Sequence, residues 1–224
     1  MNKLSIKSII DFRKKSDRSK KTFALNLQIE KEKKDSDGGG DYWIICLSAI
    51  SNAFRYNDNS IILDKIHELE GKYEVAEHQK TKDMYERNMS ILYKFEDFNF
   101  SKWIPKENFK TIKKHKSDFL LNIKGLLVQA SPHHVFTFQD ENKEIGAIWF
   151  IAKLGGYDQT ELAMFTDILY RYLVLNFSEE YSVNADFCIA VDVVNKIEVN
   201  YAQVLKDNIP LKLNSTLEEI RKLM

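Results

Sequence analysis

Three short stretches carry the side chains whose types and spacing could do chemistry: Pro132-His133-His134, Ile151-Ala152-Lys153 and the lone acid Glu161. A lysine ammonium beside a carboxylate and an imidazole can orient a water, steady a developing negative charge or contribute to a divalent-ion site. Glu161 follows Lys153 by eight residues, a gap that a tight turn and the first turn of a helix can close. His133 and His134 are adjacent, so in a strand they face opposite sides and at most one lines a site. As metal ligands, Glu161, His133 and His134 make a mixed set: imidazole suits manganese or zinc better than magnesium, which wants oxygens. Asp186, Asp192, Glu77 and Glu86 are the further acids that a cation site could draw on.

These residues need elements to position them. PHHVFTFQ and GAIWFIAKL read as strands joined by a DENKE turn, and NIKGLLVQAS as a strand before them. Strands over 123–130, 134–139 and 145–153 are expected as an antiparallel meander. Gly155-Gly156 breaks the pattern; such a pair serves a tight turn or offers amides to a phosphate. Asp158, with Glu161 three residues on, is a capping box and predicts a helix over 159–176. DFCIAVDVV is a nearly continuous apolar run, as in a strand covered on both faces, with KIEVNYAQVL beside it and STLEEIRKLM as a closing helix.

The first half reads differently. TFALNLQIE alternates like a strand, and Lys31–Asp41 is a loop by composition. Asp41 caps an apolar helix, apolar nearly all round, that belongs to the core or to a homodimer face. A second helix follows with Gly71 as its stop, and a third runs from about Val75 to Tyr93. Phe95, Phe98, Phe100 and Trp103 pin the connector after it to the core.

The bulk numbers bound the reading. The chain has 224 residues, 44% hydrophobic and 12% aromatic, enough for a packed core. Its 33 basic and 33 acidic residues cancel, so any pull on nucleic acid must be local. Cys46 and Cys188 sit in apolar runs, as buried free thiols do, and have no zinc spacing. No signal peptide and no membrane-length apolar run is visible, so the expected setting is cytoplasmic and without a membrane. The Lys-, Asn- and Ile-rich composition points to an AT-rich bacterium. Serine-hydrolase, zinc-protease and dinucleotide motifs are absent.

A helix, three meandering strands, a helix and a further strand resemble the core of the PD-(D/E)XK nuclease superfamily over roughly residues 78–194. In that family a Pro-Asp pair opens the second strand and an acid-x-Lys triplet ends the third. Here His133 follows Pro132, and the triplet is Ile151-Ala152-Lys153, so Lys153 alone matches. The resemblance implies an α/β fold with a mixed, restriction-endonuclease-like sheet flanked by helices. It also implies a degenerate site that does not cleave. The alternative is a metal-dependent nuclease with a rearranged site of Lys153, Glu161 and His133 or His134, using magnesium or manganese. A basic, partly flexible segment 1–40, a helical region 41–105 and the core 106–224 are the expected parts.

DNA or RNA would be met by the basic runs: Arg13, Lys14 and Lys15 in one, Lys113, Lys114 and Lys116 in the other. A structural role with a protein partner is the third reading, in which these runs serve solubility.

Overall fold

The structure, a computed structural model, describes residues 2–29, 42–113, 119–139 and 143–224. It is a mixed α/β fold with two mixed sheets and, among the described residues, eight α-helices.

The chain opens with a two-residue strand β1 (Leu4–Ser5) and two helices, α1 (Ile6–Arg13) and α2 (Asp17–Gln28). The strand expected at TFALNLQIE is therefore helical. Phe23, Ala24 and Leu27 also fit helical spacing, and α2 buries the last two of these. Leu4, Ile6, Ile9, Ile10 and Phe12 are fully buried in the main core. The amino-terminal segment is thus built into the fold rather than appended to it.

Three helices follow, α3 (Ile44–Tyr56), α4 (Ser60–Val75) and α5 (Gln79–Tyr93), and then a 3-10 turn, Phe100–Trp103. Gly71 does not stop α4, which continues to Val75; an added Cβ there meets nothing within 4 Å, so the glycine rides on an open helix face. Asp41 and the loop from Lys31 lie outside the described residues. Phe95, Phe98, Phe100 and Trp103 do pin the connector: their ring centroids lie 4.6–6.3 Å from one another, and Trp103 meets the core ring of Phe150 at 5.7 Å.

The remaining elements are β2 (Lys110–Ile112), β3 (Leu120–Ile123), β4 (Leu126–Gln129), β5 (His134–Phe138), β6 (Glu144–Ile151), α6 (Gln159–Phe177), β7 (Ser182–Asp192), β8 (Ile197–Asn200), α7 (Tyr201–Lys206) and α8 (Leu213–Lys222). The large sheet has the order β2-β5-β6-β7-β8, with β6 and β7 parallel across α6 and the other pairs antiparallel. The expected first strand, 123–130, is not in this sheet. Lys124 and Gly125 both have positive φ, 55° and 81°, and fold 120–129 into a tight hairpin, as a two-residue primed turn does. Its second arm pairs parallel with β1 in a separate three-stranded sheet. The short KTI strand, β2, takes the vacated place in the meander.

α6 crosses one face of the large sheet, with α1, α8 and the small sheet in the same apolar cluster; α3, α4 and α5 cover the other face. The alternation along β5 and β6 sends Val135 and Ala147 one way and Phe136 and Ile148 the other.

Candidate functional site

Lys153 lies two residues past the end of β6, and Glu161 in the first turn of α6. The capping box brings them together. Asp158 Oδ1 accepts the Glu161 N–H at 2.8 Å, and Glu161 Oε2 accepts the Asp158 N–H at 3.3 Å. Lys153 Nζ donates to the same Oε2 at 2.9 Å and stands 4.2 Å from the Tyr157 ring centroid. From the far end of α1, Lys14 pairs with Oε1. The Glu161 side chain is 9% exposed and holds two ammonium groups, one on each oxygen. Burial pushes its carboxyl up; the contacts from Lys14 and Lys153 outweigh it, and the net pKa lies below the ordinary glutamate value. The same contact raises Lys14.

From Gly156 to Asp158 the amides of the turn are committed. Gly156 N–H donates to Lys153 O at 2.8 Å, Tyr157 N–H to Asp192 Oδ2 at 3.0 Å, and Asp158 N–H to Glu161. It is a tight turn rather than a phosphate cradle. Gly156 has φ +73°, and a Cβ on it would collide with Asn195 and Asp192. Asp192, fully buried at the end of β7, also accepts from Val194 N–H and Asn195 Nδ2. Burial raises its pKa despite these bonds. Its oxygens brace the turn that delivers Lys153.

The histidines face opposite ways, as their adjacency requires. His133 accepts the Phe150 N–H on Nδ1 at 3.2 Å, while its own N–H donates to Ile148 O at 2.9 Å. His134 faces α3, with Nε2 2.7 Å from Ser51 Oγ and 2.9 Å from Ser51 O. The carbonyl can only accept, so that contact needs the proton on Nε2; a nitrogen so protonated cannot take one from the hydroxyl. Ser51 and His134 therefore clip α3 to β5 and do not form a nucleophile–base dyad.

A cavity of about 450 Å³ opens at the end of β6, where the two helical layers part. The first turn of α1, one side of α3, the entry to β5 and the Tyr157–Phe165 segment enclose it. His133 lines it. Lys153 and Glu161 do not; they meet behind Tyr157, which does. The three candidates thus split into an ion pair and a separate cavity wall. The fit to a hard cation is poor: both Glu161 oxygens carry lysines, His133 Nδ1 accepts a backbone amide, and His134 is on the other face. Asp186, Glu77 and Glu86 are exposed elsewhere. No group of three His, Cys, Asp or Glu residues among the described residues could hold a metal ion.

The first basic run is largely engaged in the fold. Arg13 donates to buried Thr216 at 3.0 Å, Lys14 pairs with Glu161, and Lys20 pairs with Glu219 at 2.8 Å, although Arg13 and Lys14 remain exposed, as Lys15 is. Lys113 is exposed just past β2; Lys114 and Lys116 lie outside the described residues. Sequence reasoning missed Lys7, Gln129, Ser131 and Trp149, which line the cavity from three separate places in the chain. No local pattern marks them, because only the β1–β4 pairing brings the first of them to the rest.

Comparison of the chain with protein-family models, with curated proteins and with solved structures finds no match.

Proposed function

We propose that this chain is a nucleic-acid-associated protein with a degenerate PD-(D/E)XK-like core that binds phosphate backbone without cleaving it. The observation that carries the reading is the Glu161 carboxylate clamped between Lys153 and Lys14. An acid that must collect a cation and a water needs open oxygens; here Lys153 hydrogen-bonds Oε2 and the exposed Lys14 forms an ion pair with Oε1, which has no geometrically formed hydrogen bond of its own. The strand order supports the scaffold: three antiparallel neighbours, β2, β5 and β6, then a helical crossover to a parallel fourth strand. Scaffold likeness alone says nothing of activity. Backbone binding then falls to exposed cations such as Lys15 and Lys113 rather than to the ion pair.

A rearranged metal-dependent nuclease is the second reading. One contact favours it: an acid supplied by the helix after the lysine does reach that lysine, at 2.9 Å.

Labelled single- and double-stranded DNA and RNA, incubated with the protein and magnesium or manganese, separate the two. The expected result is retention without cleavage, weakening with salt at a log–log slope of about −0.9 per phosphate neutralised on duplex. Replacing Lys113, Lys114 and Lys116 by Ala should lower that slope by about one unit for each lysine in contact. Cleavage lost in Lys153→Ala would establish the second reading. Absence of binding at low salt would leave a protein-assembly role.

A further inference from the structure

The cavity at the end of β6 has a composition that specifies a ligand class. We propose that it takes a nucleotide, as a free mononucleotide or as the terminal or extruded nucleotide of a strand. The strand form rests on the nucleic-acid reading above; the free form does not.

Size comes first. About 450 Å³ lies within the ~300–1,000 Å³ of small-molecule sites and toward the end that holds one nucleotide rather than two. The walls come next. His133, Trp149, Phe150, Tyr157 and Phe165 line the cavity, and His133 and Trp149 are the half-buried rings on which a base can stack. Their orientation is preset: Phe165 holds Trp149 and Tyr157 edge-on, with centroids at 5.2 and 5.4 Å and interplanar angles of 85° and 81°.

The polar side chains among the walls are neutral. Ser48, Gln129 and Ser131, the last two joined by Gln129 Nε2 donating to Ser131 Oγ at 2.9 Å, combine donors and acceptors of the kind that read the edge of a heterocycle. Charge decides the remaining end. No Asp or Glu lines the cavity, so neither a metal ion nor an amine is favoured, whereas Lys7, exposed in the first turn of α1, stands at its edge. A cation in the first turn of a helix opposes the helix dipole, and an anion set there satisfies both.

The test is calorimetric titration of the full chain with adenosine monophosphate, uridine monophosphate, the two nucleosides, and a 5′-phosphorylated octanucleotide. Saturable binding of the nucleotides is expected, about tenfold or more tighter than of the nucleosides, as a charge-assisted contact gives. Lys7→Glu, at an exposed position, should erase that difference while leaving nucleoside binding in place. Ser48→Phe, from the exposed side of α3, should fill the cavity and abolish both; Ser131→Phe does the same from the opposite wall. Unchanged melting temperatures confirm that these variants fold. If neither nucleotides nor octanucleotide saturate at millimolar concentration, or if binding ignores the filling variants, the proposal fails. Octanucleotide binding that ignores them but responds to Lys113, Lys114 and Lys116 upholds the backbone-binding reading and removes the cavity from it. Mononucleotide binding without any oligonucleotide binding upholds the cavity and removes the strand.

Discussion

The two faces of the five-stranded sheet solve the same covering problem with opposite materials. Against α6 the strands present Val135, Ala147, Cys188 and Ala190. Against α3 to α5 they present Phe136, Phe138, Ile148 and Phe150. Short side chains sit at the middle of the α6 face, between Ile145, Trp149 and Ile151, whereas the other face is a bed of rings. One face can fail by growing and the other by shrinking. The contrast also bears on the site. The Lys153–Glu161–Lys14 cluster hangs from the tightly packed α6, whereas the cavity lies where the two layers part and draws lining from both.

The largest effect should come from emptying the aromatic face. Phe136 is fully buried, with Phe54, Phe109, Phe138 and Phe187 at ring-centroid distances of 5.2–6.2 Å. Phe136→Ala should cost about 3–5 kcal/mol, read from the shift of the urea midpoint. A loss under about 1 kcal/mol would mean that the rings collapse into the gap and that this face is softer than its packing implies.

On the opposite face the sign of the volume change reverses. Ala147, fully buried under α6, should resist enlargement: Ala147→Leu is expected to destabilise by about 1–3 kcal/mol. The same denaturation series measures it, and tolerance of Leu there would erase the distinction between the faces.

A smaller effect sharpens the comparison at the ion cluster. Glu161 titrates below the ordinary glutamate range when folded. A depressed folded pKa contributes stability that is present above the unfolded value, near ~4.3, and lost as pH falls through the folded one. Glu161→Gln should therefore cost about 1–1.5 kcal/mol at neutral pH and flatten the acid limb of the stability curve. Asp192 carries the opposite sign, because burial raises its pKa; its contribution weakens as pH rises through that window. If the acid limb of Glu161→Gln matches wild type, the two lysines do not hold that carboxylate in solution.

The parts legible in the sequence are those whose signal is local. The β5–β6 alternation, the Asp158–Glu161 capping box and the ring-rich connector each state themselves within a dozen residues. Tertiary pairing hid the rest. β2 is a three-residue strand that exists because β5 offers it an edge, and 123–130 reads as one strand until Lys124-Gly125 turns it. TFALNLQIE satisfies two periods at once, and the contacts of α1 and α2 with α8 favour the helix. At the site, spacing put Lys153 and Glu161 forward as candidates and left their meeting open. That Lys14 would join them, instead of facing a phosphate, was not legible, because it precedes Glu161 by 147 residues.

That last arrangement has a consequence for synthesis. Arg13 reaches Thr216 and Lys20 reaches Glu219, separations of 203 and 199 residues. α1 and α2 leave the ribosome about 200 residues ahead of α8, with an apolar stripe of Ile9, Ile10 and Phe12 that has only the α2 ring of Phe23 beside it. At roughly 5–20 residues per second, their seat on α8 is not synthesised for about 10–40 s. For that interval the most buried helix of the amino-terminal segment is a client for any chaperone that recognises short apolar stripes.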